Sequence, residues 1–476
     1  MKITNSGYSH HGASRAKPSL MSWVSSSKSP HEDISENVEL LRERSRDLYA
    51  GGGPLGRGAV DRVVLNALGS GLRLNVRIDP ERLNIADEES RKWAADVESQ
   101  FDYWASSRGS DYYGVQNFYG LQVLALKSVL IDGECLFTLE KIYHRSRYEL
   151  CVRLIESDRL MTPSIRPPHV MIDEGVEIDD YGVPVAYWIS NRNPKAELLN
   201  QPSRIEYARI PAGNIIHIMN PERINQHRGV PFLSPVIEQL KQLSRYTDAE
   251  LMAAVISGMY AVFFEHEQRP EGAIGEEDYA TEEGLGEYPG LEGLTQEQMY
   301  GLIMDLPEGV KATSVSPSRP NTSFNAFVES LVRQIGGCLG IPSELLFLHF
   351  TASYSASRGA LLEAWKLFRY WREWFAENFC QPVYEEFMRE AVVNGYVHAP
   401  GYFDDDYTRS LYTWCEWVGP SQGQLDPVKE VNAAIMRVKN GFSTYQRETS
   451  ELTGGDYDLN MKQLKREDKL RVPDKE

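Results

Sequence analysis

RGVPFLSPVIEQLKQLSRYTDAELMAAVISGMYAVFF, residues 228–264, is the stretch on which the fold turns. The RGVPF turn is followed by Ser234, a hydroxyl residue suited to an N-cap, and by Pro235, suited to the first helical position. Val236, Leu240, Leu243, Thr247, Leu251, Ala254, Gly258 and Val262 then recur at steps of three and four. That spacing predicts one continuous apolar stripe over about eight turns, longer than a single globular core requires. Its most apolar part, Leu251 to Phe264, covers 14 residues between Glu250 and Glu265. This is short of a membrane span, so no membrane partner is expected and a buried helix is the reading.

Upstream the pattern is different. Between Leu130 and Ile218, short β-rich runs such as GECLFTLEKI (133–142), ELCVRLIES (149–157) and VPVAYWIS (183–190) are separated by turn residues. Before them, a charged helical stretch from Glu36 to Tyr49 runs into Gly51, Gly52, Gly53 and Pro54. Ala59, Val60, Val63, Val64, Ala67 and Leu68 then resume helical spacing, so the glycines punctuate two helices. Residues 1–35 carry few large apolar side chains and are expected to form a flexible or partner-dependent arm.

Downstream, residues 265–320 become rich in Glu, Gly and Pro, with one helical segment from Thr295 to Asp305, which suggests a small separate lobe. A second helix is expected after Ser323, with Phe324, Phe327, Val328, Leu331, Ile335 and Cys338 on one face and Gly340 and Pro342 as stops. A loop follows, and then a long helix from Ser357 to Val393 carrying Leu361, Trp365, Phe368, Phe375, Phe379, Val383 and Phe387. Pro382 lies inside it and should kink it around residues 378–382, because proline removes a backbone donor and clashes with the preceding turn. Past Gly395, short helices lead to a charged tail. The fold class is α+β, with two to four globular units expected from a chain of 476 residues and 42% hydrophobic content.

The composition excludes more than it identifies. Fifty basic against 68 acidic residues give a net charge of -18, which argues against a surface whose main task is gripping nucleic acid. The same balance suits either a protein past which DNA slides or an ordinary soluble acidic protein. Five scattered cysteines, at 135, 151, 338, 380 and 415, contain no CxxC pair, so neither a disulfide framework nor a zinc site is indicated. The N-terminus lacks the apolar core of about 7 to 15 residues that a secretory signal needs. Glycines 51, 52, 53, 56 and 58 are not followed by Gly-Lys-Ser/Thr, so no nucleotide loop is formed. With no HExxH, GxSxG or spaced Cys/His pair either, no catalytic residue, metal or cofactor is expected. Asp404, Asp405 and Asp406 lack a histidine or further ligand nearby and read as a solvated turn, and His217 between two isoleucines reads as a core residue.

Four segments in this order carry a resemblance: RSRDLYAGGGPLGRGAVDRVVLNALGSGLRLN (44–75), HIMNPERINQHRGVPFLSPVIEQL (217–240), LGIPSELL (339–346) and SYSASRGALLEAW (353–365). Over roughly residues 36–465 the chain resembles the lambda-type portal proteins of tailed bacteriophages. The resemblance implies a portal fold assembled as a homo-oligomeric ring of about twelve subunits, with a mixed α/β wing, a helical stem, a small α/β clip and a helical crown. On this chain the wing would cover 36–230, the first stem helix 231–264, the clip 265–320 and the second stem helix 321–340. The tunnel loop would follow at 341–356, the kinked helix from wing to crown at 357–395, and the crown and tail at 396–476. It further implies a non-enzymatic virion subunit at one capsid vertex, assembled in the host cytoplasm. Double-stranded DNA would be packaged through it by a separate terminase ATPase and later ejected. Its other implied partners are the major capsid protein and scaffold, and head-completion or tail adaptor proteins.

Two candidate surfaces follow. Phe350, Thr351, Ala352, Ser353, Tyr354 and Ser355 form the tip of the tunnel loop, where hydroxyls beside aromatic rings suit weak contacts without sequence information. Phe350 and Tyr354 could instead pack against neighbouring subunits. Glu276, Glu277, Asp278, Glu282, Glu283 and Glu287 form an acidic clip surface that either meets a basic partner such as the motor or adaptor, or is simply solvated. The stripe Trp365, Phe368, Trp371, Trp374, Phe375 and Phe379 is wide enough to bury partly against an adjacent subunit, or wholly within its own. A non-conducting scaffold and a DNA-processing enzyme are the competing classes; the first would lack a duplex-wide pore, and the second would need a metal or nucleophile site.

Overall fold

The computed structural model describes residues 17–23, 28–144, 146–192, 205–259, 263–266, 310–313, 323–350, 353–423 and 426–471. The chain divides into two compact units, one made of Met1–Asp47, Val60–Ser234 and Trp365–Glu476, the other of Leu48–Ala59 and Pro235–Ala364. In chain order the first helices are α1 (Pro18–Met21), α2 (Pro30–Ser35), α3 (Val38–Ala50) and α4 (Pro54–Ala67). The expected glycine break falls between the last two, and Pro54 opens α4, where its missing N–H costs nothing. Strand β1 (Arg73–Val76) precedes α5 (Pro80–Leu83), α6 (Asp87–Ser106) and α7 (Phe118–Asp132). Strands β2 (Glu134–Lys141), β3 (Leu150–Ile155), β4 (Met171–Asp173), β5 (Val176–Ile178), β6 (Pro184–Ser190), β7 (Tyr207–Pro211) and β8 (Ile216–Met219) follow. The three β-rich runs read from the sequence are β2, β3 and β6.

Then come α8 (Ile237–Met259), the antiparallel pair β9 (Phe263–His266) and β10 (Val310–Thr313), α9 (Phe324–Leu339) and α10 (Ser343–Phe347). The chain continues with α11 (Tyr354–Phe375), α12 (Gln381–Val393), α13 (Asp406–Tyr412), β11 (Cys415–Val418), α14 (Pro427–Lys439), α15 (Tyr445–Thr453) and α16 (Tyr457–Arg471).

The larger unit holds a three-stranded sheet of order β3-β2-β8 and a four-stranded sheet of order β4-β5-β6-β7, with every pairing antiparallel. Leu136, Ile155, Leu160, Val176, Tyr187, Ile189 and Ile215 form one apolar cluster between strands of the two sheets. A second core is aromatic: Phe101 stands edge-on to Phe118, Tyr384 and Phe387, and Phe379 stacks on Phe375 and Phe118. Phe368, Trp371, Phe375 and Phe379 of the aromatic stripe are therefore buried within their own subunit. The buried Glu390 carboxylate accepts hydrogen bonds from the backbone N–H groups of Glu149 and Leu150, tying α12 to the start of β3. β11 pairs with β1, so residues 415–418 share a sheet with residues 73–76.

One charged cluster underlies this unit. Glu134, the first residue of β2, has no solvent exposure. Its Oε1 accepts from Arg228 Nη2 and from Arg42 Nη2, each at 2.8 Å, and its Oε2 accepts from the Gly229 N–H at 2.8 Å. His217 Nε2 lies 3.2 Å from the same Oε2, so this histidine is the buried residue expected, although with a carboxylate beside it. Arg42 also donates to the Asp132 and Gly229 carbonyls, and Arg228 to those of Leu160, Glu174 and Ser157. Burial pushes the Glu134 carboxyl upward, but Arg228, Arg42 and His217 hold it well below the usual carboxylate range. Burial also lowers the Arg42 guanidinium to about 10.

Two glycines permit this contact. Gly133 has φ +89, and a Cβ there would lie 2.5 Å from the Gly229 and Val230 backbone; a Cβ on Gly229 would lie 2.0 Å from the Gly133 carbonyl oxygen. Nearby, Asp173 is shared by His31, at the start of α2, and by His227, whose Nδ1 is 2.7 Å from Asp173 Oδ2.

Several boundaries differ from the sequence reading. Ser234 does not cap α8: it lies in a 3-10 turn, Ser234–Val236, and its buried hydroxyl makes no hydrogen bond among the described residues. The tight turn moves the helix start to Ile237. At the other end Phe263 and Phe264 belong to strand β9, in keeping with the preference of aromatic residues for strands. On α9 the buried face is Val332, Ile335, Gly336 and Leu339, and Cys338 is exposed. Ahead of Pro382 the helix widens into a π-turn, Ala376–Cys380, in which the Gln381 N–H donates to the Ala376 carbonyl. The proline then stands in the first turn of α12, so the helix absorbs it by restarting. Asp405 caps α13 by accepting from the Thr408 N–H, and Asp404 and Asp406 are exposed, as a solvated turn requires. Among the described residues no helix is long and apolar enough to cross a membrane. The helical segment 295–305 and most of the residues before Pro18 lie outside the described residues.

Replacing Glu134 by Ala leaves two buried guanidiniums without their carboxylate and should cost about 3–5 kcal/mol, read by denaturant unfolding. Because the folded carboxyl titrates below its ordinary value of 4.5, its contribution is complete above pH 4.5 and is lost as pH falls through the folded value. Unfolding midpoints between pH 7 and pH 3 should show that loss in the native chain and a smaller one in Glu134→Gln. A parallel variant, Gly229→Ala, should destabilise comparably with no charge removed.

Candidate functional site

Residues 340–353 link the two helices α9 and α11 within the smaller unit. Gly340 ends α9 in the left-handed region at φ +71, and the Ile341 N–H returns to the Gly336 carbonyl at 2.9 Å. Ile341 is fully buried, and a Cβ on Gly336 would stand 2.3 Å from the Ile341 carbonyl oxygen. Pro342 then opens the short helix α10, whose Leu346 turns inward. Leu348 takes the left-handed conformation at φ +53, and the His349 N–H closes the turn on the Glu344 carbonyl at 3.1 Å.

Phe347, Leu348, His349 and Phe350 all face solvent, with Leu348 56% and Phe350 47% exposed. The loop is thus shorter than expected. A helical turn fills its first half, and α11 starts at Tyr354 because Ser353 caps it, its carbonyl accepting from the Ser357 N–H at 2.9 Å and its hydroxyl from the Ala356 N–H at 3.4 Å. Of the six expected tip residues, Phe350 is at the exposed apex, Ser353 is the exposed cap and Ser355 is exposed in the first turn of α11. Tyr354 opens that helix, while Thr351 and Ala352 lie outside the described residues. The sequence reading places the tip at Phe350–Ser355 and does not single out Phe347, Leu348 and His349; the signal available was Pro342 followed by Ser343 and Glu344, which opens the short helix α10 and carries the next residues outward.

The helices behind the loop leave apolar surface open. α8 meets α9 through Tyr246, stacked on Phe324 at 5.6 Å and edge-on to Phe327 at 4.9 Å. Leu240 and Leu243 of the long stripe are buried, but further along α8 Leu251 is 65% and Met252 61% exposed, with Val255 also open to solvent. Among the described residues no group of acids, histidines or cysteines is placed to hold a metal. The acidic residues Glu276, Glu277, Asp278, Glu282, Glu283 and Glu287 lie outside the described residues. Among its described residues the apex presents aromatic rings, one imidazole and hydroxyls, a surface suited to weak contacts.

A family model described as "Phage portal protein, lambda family" matches residues 16–372. "Portal protein B" of Escherichia phage lambda is 25% identical over 468 residues, which is 95% of this chain and 87% of that protein. "Portal protein" of Escherichia phage N15 is 25% identical over 481 residues, 95% of this chain and 88% of that protein. A solved structure titled "Neck of native GTA particle computed with C12 symmetry" aligns over 86% of this chain and 94% of that chain, with 12% identity and a TM-score of 0.42.

The anchoring of the loop is open to test. Gly336→Ala forces a methyl group against the Ile341 carbonyl and should release the α9–α10 turn, at a cost of about 1–3 kcal/mol. Amide hydrogen exchange at Ile341 and Leu346 should accelerate, while exchange in β2 and β3 stays as in the native chain.

Proposed function

This chain belongs to the lambda family of phage portal proteins, and on that premise we propose that it forms a closed ring at one vertex of a phage head, through whose axis double-stranded DNA enters and leaves. The observation that carries the ring is the apolar stripe of α8, open at Leu251, Met252 and Val255 beside the half-exposed Phe327 of α9. A lone subunit would hold that surface in water, whereas copies related by a closing rotation cover it. In this reading α8 and α9 are the stem, residues 265–320 the clip, and the apex from Leu348 to Ser353 the part of the ring facing DNA.

The pairing of β11 with β1 supports a wing that reaches further along the chain than residue 230. In this reading residues 396–418 go with the wing, and α14, α15 and α16 form the crown. A separate terminase ATPase supplies the energy of packaging, docking on the acidic clip around Glu276–Glu287. Head-completion or tail adaptor proteins take its place later, and the major capsid protein and scaffold surround the wing. The protein is then a non-enzymatic component of the virion.

The loop assignment is tested by Phe350→Ser together with Leu348→Ser. Both side chains are exposed, so ring assembly should be unchanged, while the yield of DNA-filled heads in a complementation assay falls several-fold. Normal filling by the double variant would remove the loop from the DNA path, and loss of the ring would make it a subunit contact instead.

A further inference from the structure

The chain carries a net charge of -18, yet its last described helix reverses that sign locally. In α16, Lys462, Lys465, Arg466 and Lys469 recur at i, i+3, i+4 and i+7 and are all exposed. At 100° per residue they fall within one arc of about 100°, over about 10 Å of helix. The helix is held by other residues: Tyr457 stacks on Tyr445 of α15 at 5.5 Å, and Asp456 caps the first turn by accepting from the Leu459 N–H at 2.8 Å. Glu467 accepts from Gln463, and both it and Asp468 fall off the arc; Asp458 lies at its foot, one turn before Lys462. Lys462 is also within electrostatic reach of Glu98. Lys465, Arg466 and Lys469 make no ion pair among the described residues.

Four like charges at these spacings repel along the helix, which favours a polyanion laid against them. We propose that this face of α16 binds the phosphate backbone of double-stranded DNA without reading its sequence. Lysines and an arginine without accompanying aromatic or amide side chains suit phosphates rather than base edges. The source of the duplex rests on the portal reading, in which this helix belongs to the crown.

The test uses the full-length protein and the triple variant Lys465→Gln, Arg466→Gln, Lys469→Gln, with Lys92→Gln on α6 as the control. Binding of two unrelated duplexes is followed by fluorescence anisotropy across a salt series, with the oligomeric mass measured in the same samples. The native protein should bind both duplexes alike. The variant should lose roughly tenfold in affinity at low salt, and its salt slope should fall by about 0.9 for each cation that meets a phosphate. Unchanged binding by the variant overturns the proposal. So does a native protein that ignores duplex but binds a synthetic peptide of residues 265–292, since the face would then belong to an acidic segment of protein. A ring that fails to bind through α16 sinks this inference alone, and a monomer that binds through α16 sinks the portal reading alone.

Discussion

The carboxylate of Glu134 sits out of water between two guanidiniums, and the larger unit is arranged around it. Arg42 comes from α3, Arg228 and the Gly229 N–H from the turn before α8, His217 from β8, and Glu134 itself from the start of β2. Segments separated by nearly two hundred residues thereby meet at one carboxyl group. A buried pair of this kind adds little net stability over apolar residues of the same volume, but losing one partner strands a charge where water cannot reach it. Its value here is positional: β2, α3, β8 and the RGV turn each bring a group to the same carboxylate. Gly133 and Gly229 are part of the same constraint, because the two backbones approach too closely for any side chain.

That rigid arrangement contrasts with the smaller unit. There α8 meets α9 through the rings of Tyr246, Phe324 and Phe327, and the apolar stripe of α8 passes from buried to exposed along its length. The open apolar surface on α8 is the feature on which the proposed ring rests, since copies of the chain would cover it. The loop apex follows the same logic: Ile341 and Leu346 fix its base, and the residues beyond them are turned outward by a left-handed Leu348.

Much of this was legible in the sequence because it rests on local rules. Helical spacing located α8, α9 and the α11–α12 helix, glycine and proline marked the break between α3 and α4, and β-rich runs marked β2, β3 and β6. The failures have physical causes. Ser234 looked like an N-cap, but tertiary packing drew the chain into a 3-10 turn first. At Pro382 the proline signal is local, but the π-turn Ala376–Cys380 that precedes it has no signature in the pattern of residues. The loop was read as irregular because a five-residue helix such as α10 carries too few residues for a periodicity. The Glu134 cluster could not have been found by any local pattern, since its members lie at 42, 134, 217 and 228 and each alone resembles an ordinary polar residue. His217 was read as a satisfied core histidine, but its partner was out of sight.

The central claim, that the chain is a ring-forming portal subunit, is met most directly by native mass determination with electron microscopy on the purified protein. With a chain of 54.0 kDa, the account predicts a closed ring near 0.65 MDa, about twelve copies, with an axial opening wide enough for a DNA duplex. A closed ring whose axial opening is too narrow for a duplex would contradict it.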